Sequence, residues 1–287
     1  MTRSTFLLQR TAEPRLTARR RFCGLGATLL ATLGATPLAG AEVTPPPVRG
    51  KRLVFESDFT TIPGQPADNK GWMSSGPTGW RTLPSNHELE YYSDRSIGFD
   101  PFSADKGILT ITAQPGRNPA NLPYNSGLLT TFRSFSLLYG DFEMKARLPS
   151  GNGLWPAFWL LPVDGSWPPE IDVMEQLGND PTTIYVGTHS AVGGPNVGTT
   201  TPIKVADTSK AFHTYGVSWQ RDEIVWYFDG QLIHRQPTPA DMHKPMYLLI
   251  NLAIGGKGSW PGPPTPQTAF PAHFVVEYLR AYANDRG

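Results

Sequence analysis

From Arg52 onward the chain reads as short apolar and β-branched runs, broken every few positions by Gly, Pro, Asn or Asp. The run Asp141-Phe142-Glu143-Met144-Lys145-Ala146-Arg147-Leu148 alternates polar and apolar residues strictly. That is the period of a strand with one wet and one dry face. Leu53-Val54-Phe55, Gly107 to Ala113, Ile184 to His189, Met246 to Leu252 and Phe274 to Tyr282 give further strand signals. Glu223 to Phe228 and Gln231 to His234 flank Asp229-Gly230, a favoured dipeptide for a two-residue hairpin turn. Helical periodicity is almost absent. Many short strands, without a repeat unit or a mid-chain linker, predict an all-β fold. The expected form is an antiparallel β-sandwich of jelly-roll type with its terminal strands side by side.

The first forty residues follow a different pattern. Ala18-Arg19-Arg20-Arg21-Phe22 precedes a mild apolar run from Gly24 to Leu38, too short and too rich in Gly and Thr for a stable membrane span. Ala39-Gly40-Ala41 is a small-x-small cleavage site. Residues 1–41 therefore read as a signal peptide. Its paired arginines followed by Phe resemble a twin-arginine export signal, with an ordinary secretory signal as the alternative. Residues 42–51, with Pro45-Pro46-Pro47, read as an extended linker. Residues 52–287 then form a single catalytic domain, exported to the periplasm or the medium, with no membrane anchor once the leader is removed.

Charge narrows the choice of partner. Residues 1–41 hold six Arg against Glu13 alone, contributing +5 to the chain's +1 and leaving −4 for the remainder. A mildly acidic mature chain does not suit nucleic acid. Eight Trp suit the flat faces of sugars, although some must be core. The single cysteine, Cys23, falls in the leader, so no disulfide can form within the chain. A monomer is expected.

The candidate chemistry lies in Glu170-Ile171-Asp172-Val173-Met174-Glu175. On a regular strand Glu170 and Asp172 share one face, while Glu175, five positions on, is aimed into the core. Burying an ionised Glu there is very costly. One extra residue near Val173-Met174, a β-bulge, would return Glu175 to the wet face. Clustered carboxylates repel unless they serve something. Glycoside hydrolysis needs such a set: one carboxylate ionised to attack the anomeric carbon, another holding a proton for the leaving oxygen. Neighbouring negative charge raises the pKa of the second group and keeps it protonated. A solvated strand face and a calcium site are the alternatives.

The flanking segments extend the pattern. Gly153-Leu154-Trp155-Pro156-Ala157-Phe158-Trp159-Leu160-Leu161-Pro162 and Ser166-Trp167-Pro168-Pro169 lead into Glu170. Asn86-His87-Glu88-Leu89-Glu90-Tyr91-Tyr92 and Tyr139 to Glu143 precede them; Phe212 to Tyr215, Trp226 to Gly230, Asn251 to Gly256 and Trp260-Pro261-Gly262 follow. In this order, over roughly residues 52–283, they resemble the family 16 glycoside hydrolases, whose bulged branch carries an E-x-D-x-x-E signature and includes the laminarinases. The resemblance implies retention through a glycosyl-enzyme intermediate, with Glu170 as nucleophile, Glu175 as general acid and base, and Asp172 as the assisting carboxylate. It makes Trp155, Trp159, Trp167 and Trp260 candidate stacking platforms, Trp155 and Trp167 foremost because they lie closest to the cleft-forming segments, with Trp159 equally suited to the core. It places His189 near the acid, or packed in its strand. It sets Asn86 against sugar on the donor side and offers Tyr91 as a weaker contact with packing as the alternative.

The resemblance also has departures. Laminarinases carry an Arg after the Ser-Gly pair, whereas Leu128 follows Ser126-Gly127 here. The run from Leu161 to Glu170 is closer to bacterial glycanases that trim exopolysaccharides such as succinoglycan. No cofactor is implied beyond the structural calcium that many members hold through an Asp near the C-terminal strand, where this chain has Glu277. The expected substrate is a β-1,3/β-1,4-linked glucan or a glucose-containing exopolysaccharide. A transglycosylase with the same residues and a lectin-like sugar-binding domain are the competing readings.

Overall fold

The computed structural model describes residues 50–63 and 70–284. The expected leader and nearly all of the expected linker lie outside the described residues. In chain order the strands are β1 (Lys51–Ser57), β2 (Glu90–Tyr92), β3 (Phe102–Asp105), β4 (Ile108–Pro115), β5 (Tyr124–Ser126), β6 (Leu128–Thr130), β7 (Gly140–Arg147) and β8 (Leu154–Pro162). They continue with β9 (Glu170–Glu175), β10 (Thr183–Ser190), β11 (Val197–Lys204), β12 (His213–Trp219), β13 (Glu223–Phe228), β14 (Gln231–Pro237), β15 (Met246–Ile254) and β16 (Ala272–Asn284). Among the described residues, two short 3-10 turns are the only helical elements.

The strands form two packed sheets, one of ten strands and one of six, the latter in the order β11-β10-β9-β8-β15-β6. Among the described residues all strand pairings are antiparallel except β2 with β5. The jelly-roll sandwich is thus confirmed. The terminal strands are neighbours as expected, with β1 paired along β16.

The alternation in β7 works as read. Phe142, Met144 and Ala146 are fully buried between the sheets, while Asp141, Glu143, Lys145 and Arg147 face outward. Burying a side chain such as Phe142 or Met144 contributes about 1.5–3 kcal/mol. The hairpin turn has φ of 48° at Asp229 and 72° at Gly230. A type I′ turn requires positive φ at both positions, which selects Asp-Gly.

β15 shows no alternation because both of its faces are covered. Met246, Leu248, Ile250, Leu252 and Ile254 enter the core between the sheets. Tyr247 and Leu249 join Tyr92, Leu128, Ala157 and Trp159 in a second cluster on the opposite face. That face of the six-stranded sheet carries the site.

Candidate active site

The bulge predicted in β9 is present and is located at Val173. Against β8, Phe158 and Trp159 are consecutive but oppose Met174 and Asp172. Against β10, Tyr185 and Gly187 oppose Glu175 and Asp172. Val173 is therefore the extra residue. Ile171, Val173 and Met174 all enter the core, while Glu170, Asp172 and Glu175 line one cleft. A bulge frees main-chain groups from the ladder, and buried ones need other partners. The Asp172 carbonyl finds one in the indole N–H of Trp226, 2.8 Å away and fully buried on β13. Sequence reading quoted Trp226 only as part of a motif and missed this role.

Each glutamate receives an indole N–H of its own. Trp167 Nε1 donates to Glu170 at 2.6 Å, and Trp155 Nε1 donates to Glu175 at 3.0 Å. Asp172 lies between them, only 3% exposed. Burial, then the charges of Glu170 and Glu175, push its carboxyl well above the usual range, and a hydrogen bond to Glu170 adds to this. A protonated Asp172 thus donates a hydrogen bond to Glu170. Burial, followed by the Glu170 charge, raises Glu175 to about 8, with the Trp155 hydrogen bond opposing. Near neutral pH Glu175 therefore holds a proton, in the cleft it shares with Glu170.

His189 faces Glu170 across the β9–β10 pairing. Its Nδ1 is 3.0 Å from Asn196 Oδ1, and its Nε2 is 3.7 Å from Asp172 Oδ2. With Asn196 as acceptor, Nδ1 carries the proton and Nε2 turns toward Asp172. Gly187 opposes Asp172 in the β9–β10 pairing, and its missing side chain lets β11 come close on the other side. A Cβ on Gly187 would lie 1.7 Å from the Thr199 carbonyl oxygen of β11.

The cleft encloses about 940 Å³ and draws on β8, β9, β10, β11 and β15. Trp155, Trp159, Trp167, Trp260, His189 and Asn86 all line it. Trp167 and Trp260 are the open platforms, 57% and 44% exposed. Trp260 is braced edge-on by Trp155 and Tyr185 at centroid distances of 5.8 Å and 4.6 Å. Trp159 is nearly buried, and its indole donates to Asn251 at 2.8 Å. Tyr91 is a correction: it is not among the cleft residues, and the Arg81 guanidinium lies over its ring at 5.8 Å. Strand parity explains this, because Tyr92 shares the inward face with Glu88 and Glu90 while Tyr91 points away. The sequence reading passed over Trp80, Tyr185, Asn196, Tyr247 and Asn251, which also line the cleft. For Asn251 a signal existed, since it opens a motif quoted from the sequence.

Two groupings bear on a cation. Both carboxylate oxygens of Glu277 lie within 3.0 Å of Lys145 Nζ. An ammonium at that distance does not suit a calcium ligand. Glu170, Asp172 and His189 bring ligand atoms within 4.8 Å of one another. A cation there would need Asp172 ionised, whereas its surroundings favour the proton.

The sequence model of glycosyl hydrolases family 16 matches residues 92–277. The chain belongs to this family. Endo-1,3-1,4-beta-glycanase EglC of Rhizobium meliloti (strain 1021) is 44% identical over 245 residues, which covers 80% of this chain and 51% of EglC. Beta-glucanase of Rhodothermus marinus is 35% identical over 255 residues, covering 80% of this chain and 84% of the relative. The laminarinase catalytic domain from Thermotoga maritima MSB8 superposes with a TM-score of 0.69 at 32% identity, covering 81% of this chain and 98% of that domain. The family 16 chain spans about half the length of the Rhizobium glycanases it matches.

Proposed function

We propose that the chain is a retaining endo-glycoside hydrolase that cleaves β-1,3/β-1,4-linked glucan or a glucose-containing bacterial exopolysaccharide. One observation carries the reading: the bulge at Val173 returns Glu175 to the cleft that holds Glu170, and the surroundings of Glu175 keep it protonated near neutral pH. Glu170 attacks the anomeric carbon while Glu175 gives its proton to the leaving oxygen. Glu175, now ionised, takes a proton from the water that releases the sugar. Asp172 steadies the charge on Glu170, and the indoles of Trp167 and Trp155 hold the two glutamates in place. An open cleft crossing five adjacent strands suits attack within a chain, not at its end. The names of the relatives support a mixed-linkage glucan, and Leu128 in place of Arg favours such a substrate over a pure β-1,3-glucan.

The reading includes export and a monomeric state. Six Arg before the small-x-small site at residues 39–41 support export. No helix among the described residues is long and apolar enough to cross a membrane. Incubation of the protein with laminarin, lichenan, a soluble cellulose derivative, agarose and succinoglycan, followed by reducing-end measurement, tests the substrate. New ends from lichenan or succinoglycan are expected. Release from agarose alone contradicts the proposal.

A further inference from the structure

Beside the catalytic strand lies a second pair of acids that the hydrolytic steps do not use. Glu88 and Glu90 are two positions apart, so their side chains share one face. Glu88 is 6% exposed at the cleft wall, and Glu90 is fully buried. Glu88 is surrounded by donors. Its Oε2 accepts from the Leu83 N–H at 2.9 Å and from the Tyr92 hydroxyl at 3.4 Å, and its Oε1 accepts from Asn86 Nδ2 at 3.1 Å. Glu90 Oε2 accepts from the Ile254 N–H at 2.6 Å. Glu90 Oε1 is buried and has no donor among the described residues.

An ionised oxygen without a donor is costly in the interior, and two adjacent carboxylates also repel. A single proton resolves both problems if it sits on Glu90 Oε1 and is donated to Glu88. We infer that Glu88 and Glu90 share one proton, held by Glu90, and that the pair positions the Asn86 amide to accept a hydroxyl of the glucan. The inference rests on the hydrolase reading above.

Electrostatics agree with this arrangement. Burial first, and then the charge of Glu88, push Glu90 well above the usual carboxylate range. Burial raises Glu88 too, but the hydrogen bond from Glu90 opposes that rise. The consequence is geometric. Glu88 ties down the Pro84–Asn86 turn through Leu83 and Asn86. With Nδ2 of Asn86 committed to Glu88, Oδ1 is the atom this amide offers to a hydroxyl. The same chain of bonds reaches the cleft floor. The Tyr92 hydroxyl accepts from Asn251 Nδ2 at 3.0 Å, and Asn251 Oδ1 accepts from the Trp159 indole at 2.8 Å. Trp159 opposes Asp172 in the β8–β9 pairing. Wall amide and floor indole are thereby fixed relative to one another. Glu88 and Glu90 act as positioning residues.

The two isosteric variants test the proton's place. In Glu90→Gln the new amide can donate to Glu88 as the protonated acid does. In Glu88→Gln an NH2 faces groups that are already donors, leaving a buried donor without a partner. Glu88→Gln is expected to raise KM on a soluble β-glucan about tenfold relative to Glu90→Gln, with kcat values within about threefold. Glu88→Gln is also expected to melt several degrees lower than Glu90→Gln. That comparison reads the proton's position even in a parent inactive on every glucan, an outcome that would count against the hydrolase reading instead. Equal melting temperatures, or a lower one for Glu90→Gln, overturn the proton assignment. Asn86→Ala keeps the pair and removes the amide, and is expected to raise KM by a similar factor. A parental KM in Asn86→Ala overturns the positioning role.

Discussion

Trp226 and Asp172 sit on opposite sheets, and the indole N–H of the first donates to the main-chain carbonyl of the second at 2.8 Å through the core. The bond reaches the residue next to Val173, where β9 departs from its ladder. A core tryptophan thus supports the irregularity that turns Glu175 toward the cleft. Trp226→Phe keeps the ring and removes the donor. Leaving that buried carbonyl unpaired costs about 1–3 kcal/mol. For a domain of this size the melting temperature is expected to fall by roughly 2–9 °C, by scanning calorimetry. The value of kcat is expected to fall with it, because the bulge loses its brace. A variant as stable and active as the parent contradicts this role.

Glu175 gives the pH dependence. Its folded pKa is about 8 against an ordinary value of 4.5, raised by burial and then by Glu170. Between those values the folded chain holds a proton that the unfolded chain has released. The contribution is therefore fully present below pH 4.5 and is lost as pH rises through about 8. Glu175→Gln removes the slope. The variant is expected to melt higher than the parent near pH 7.5 and alike near pH 4. Parental kcat is expected to fall on an alkaline limb near pH 8 that belongs to the coupled carboxylates as a group.

Trp167 is exposed, so its loss separates chemistry from stability. Trp167→Phe keeps an aromatic face and removes the 2.6 Å bond to Glu170. Hydrogen bonds to charged groups contribute about 1.5–3 kcal/mol, so kcat is expected to fall roughly 10- to 100-fold. The melting temperature is expected to stay within about 2 °C, since Trp167 is already 57% exposed. A large melting shift with kcat preserved contradicts the role.

Much of this site was legible in the sequence because strand parity is strict. Five positions separate Glu170 from Glu175, so a regular strand cannot present both, and the cost of burying an ionised Glu demanded a bulge near Val173-Met174, which the structure locates at Val173. The same parity separates Tyr92 from Tyr91, but β2 is only three residues long and pairs in parallel with β5, too short a run for alternation to show in the sequence. The Trp226 bond to Asp172 and the Glu90 bond to Ile254 were not legible. Each joins residues more than fifty positions apart through a main-chain atom, which leaves no trace in side-chain spacing. The strand β15 was found as an apolar run, yet its two-sided burial appears only once the cleft-side cluster around Tyr92 and Trp159 is in place.

The central claim is that Glu170 attacks and Glu175 transfers the proton. The most direct test uses Glu170→Ala and Glu175→Ala with a β-glucan oligosaccharide bearing an activated leaving group, in the presence of azide. Azide can fill the space of whichever carboxylate is missing. With Glu170 removed, azide attacks the substrate directly, and proton NMR is expected to show an α-glycosyl azide. With Glu175 removed, azide attacks the glycosyl-enzyme on Glu170, and a β-glycosyl azide is expected. The reverse pair of products, or the same anomer from both variants, would contradict the assignment.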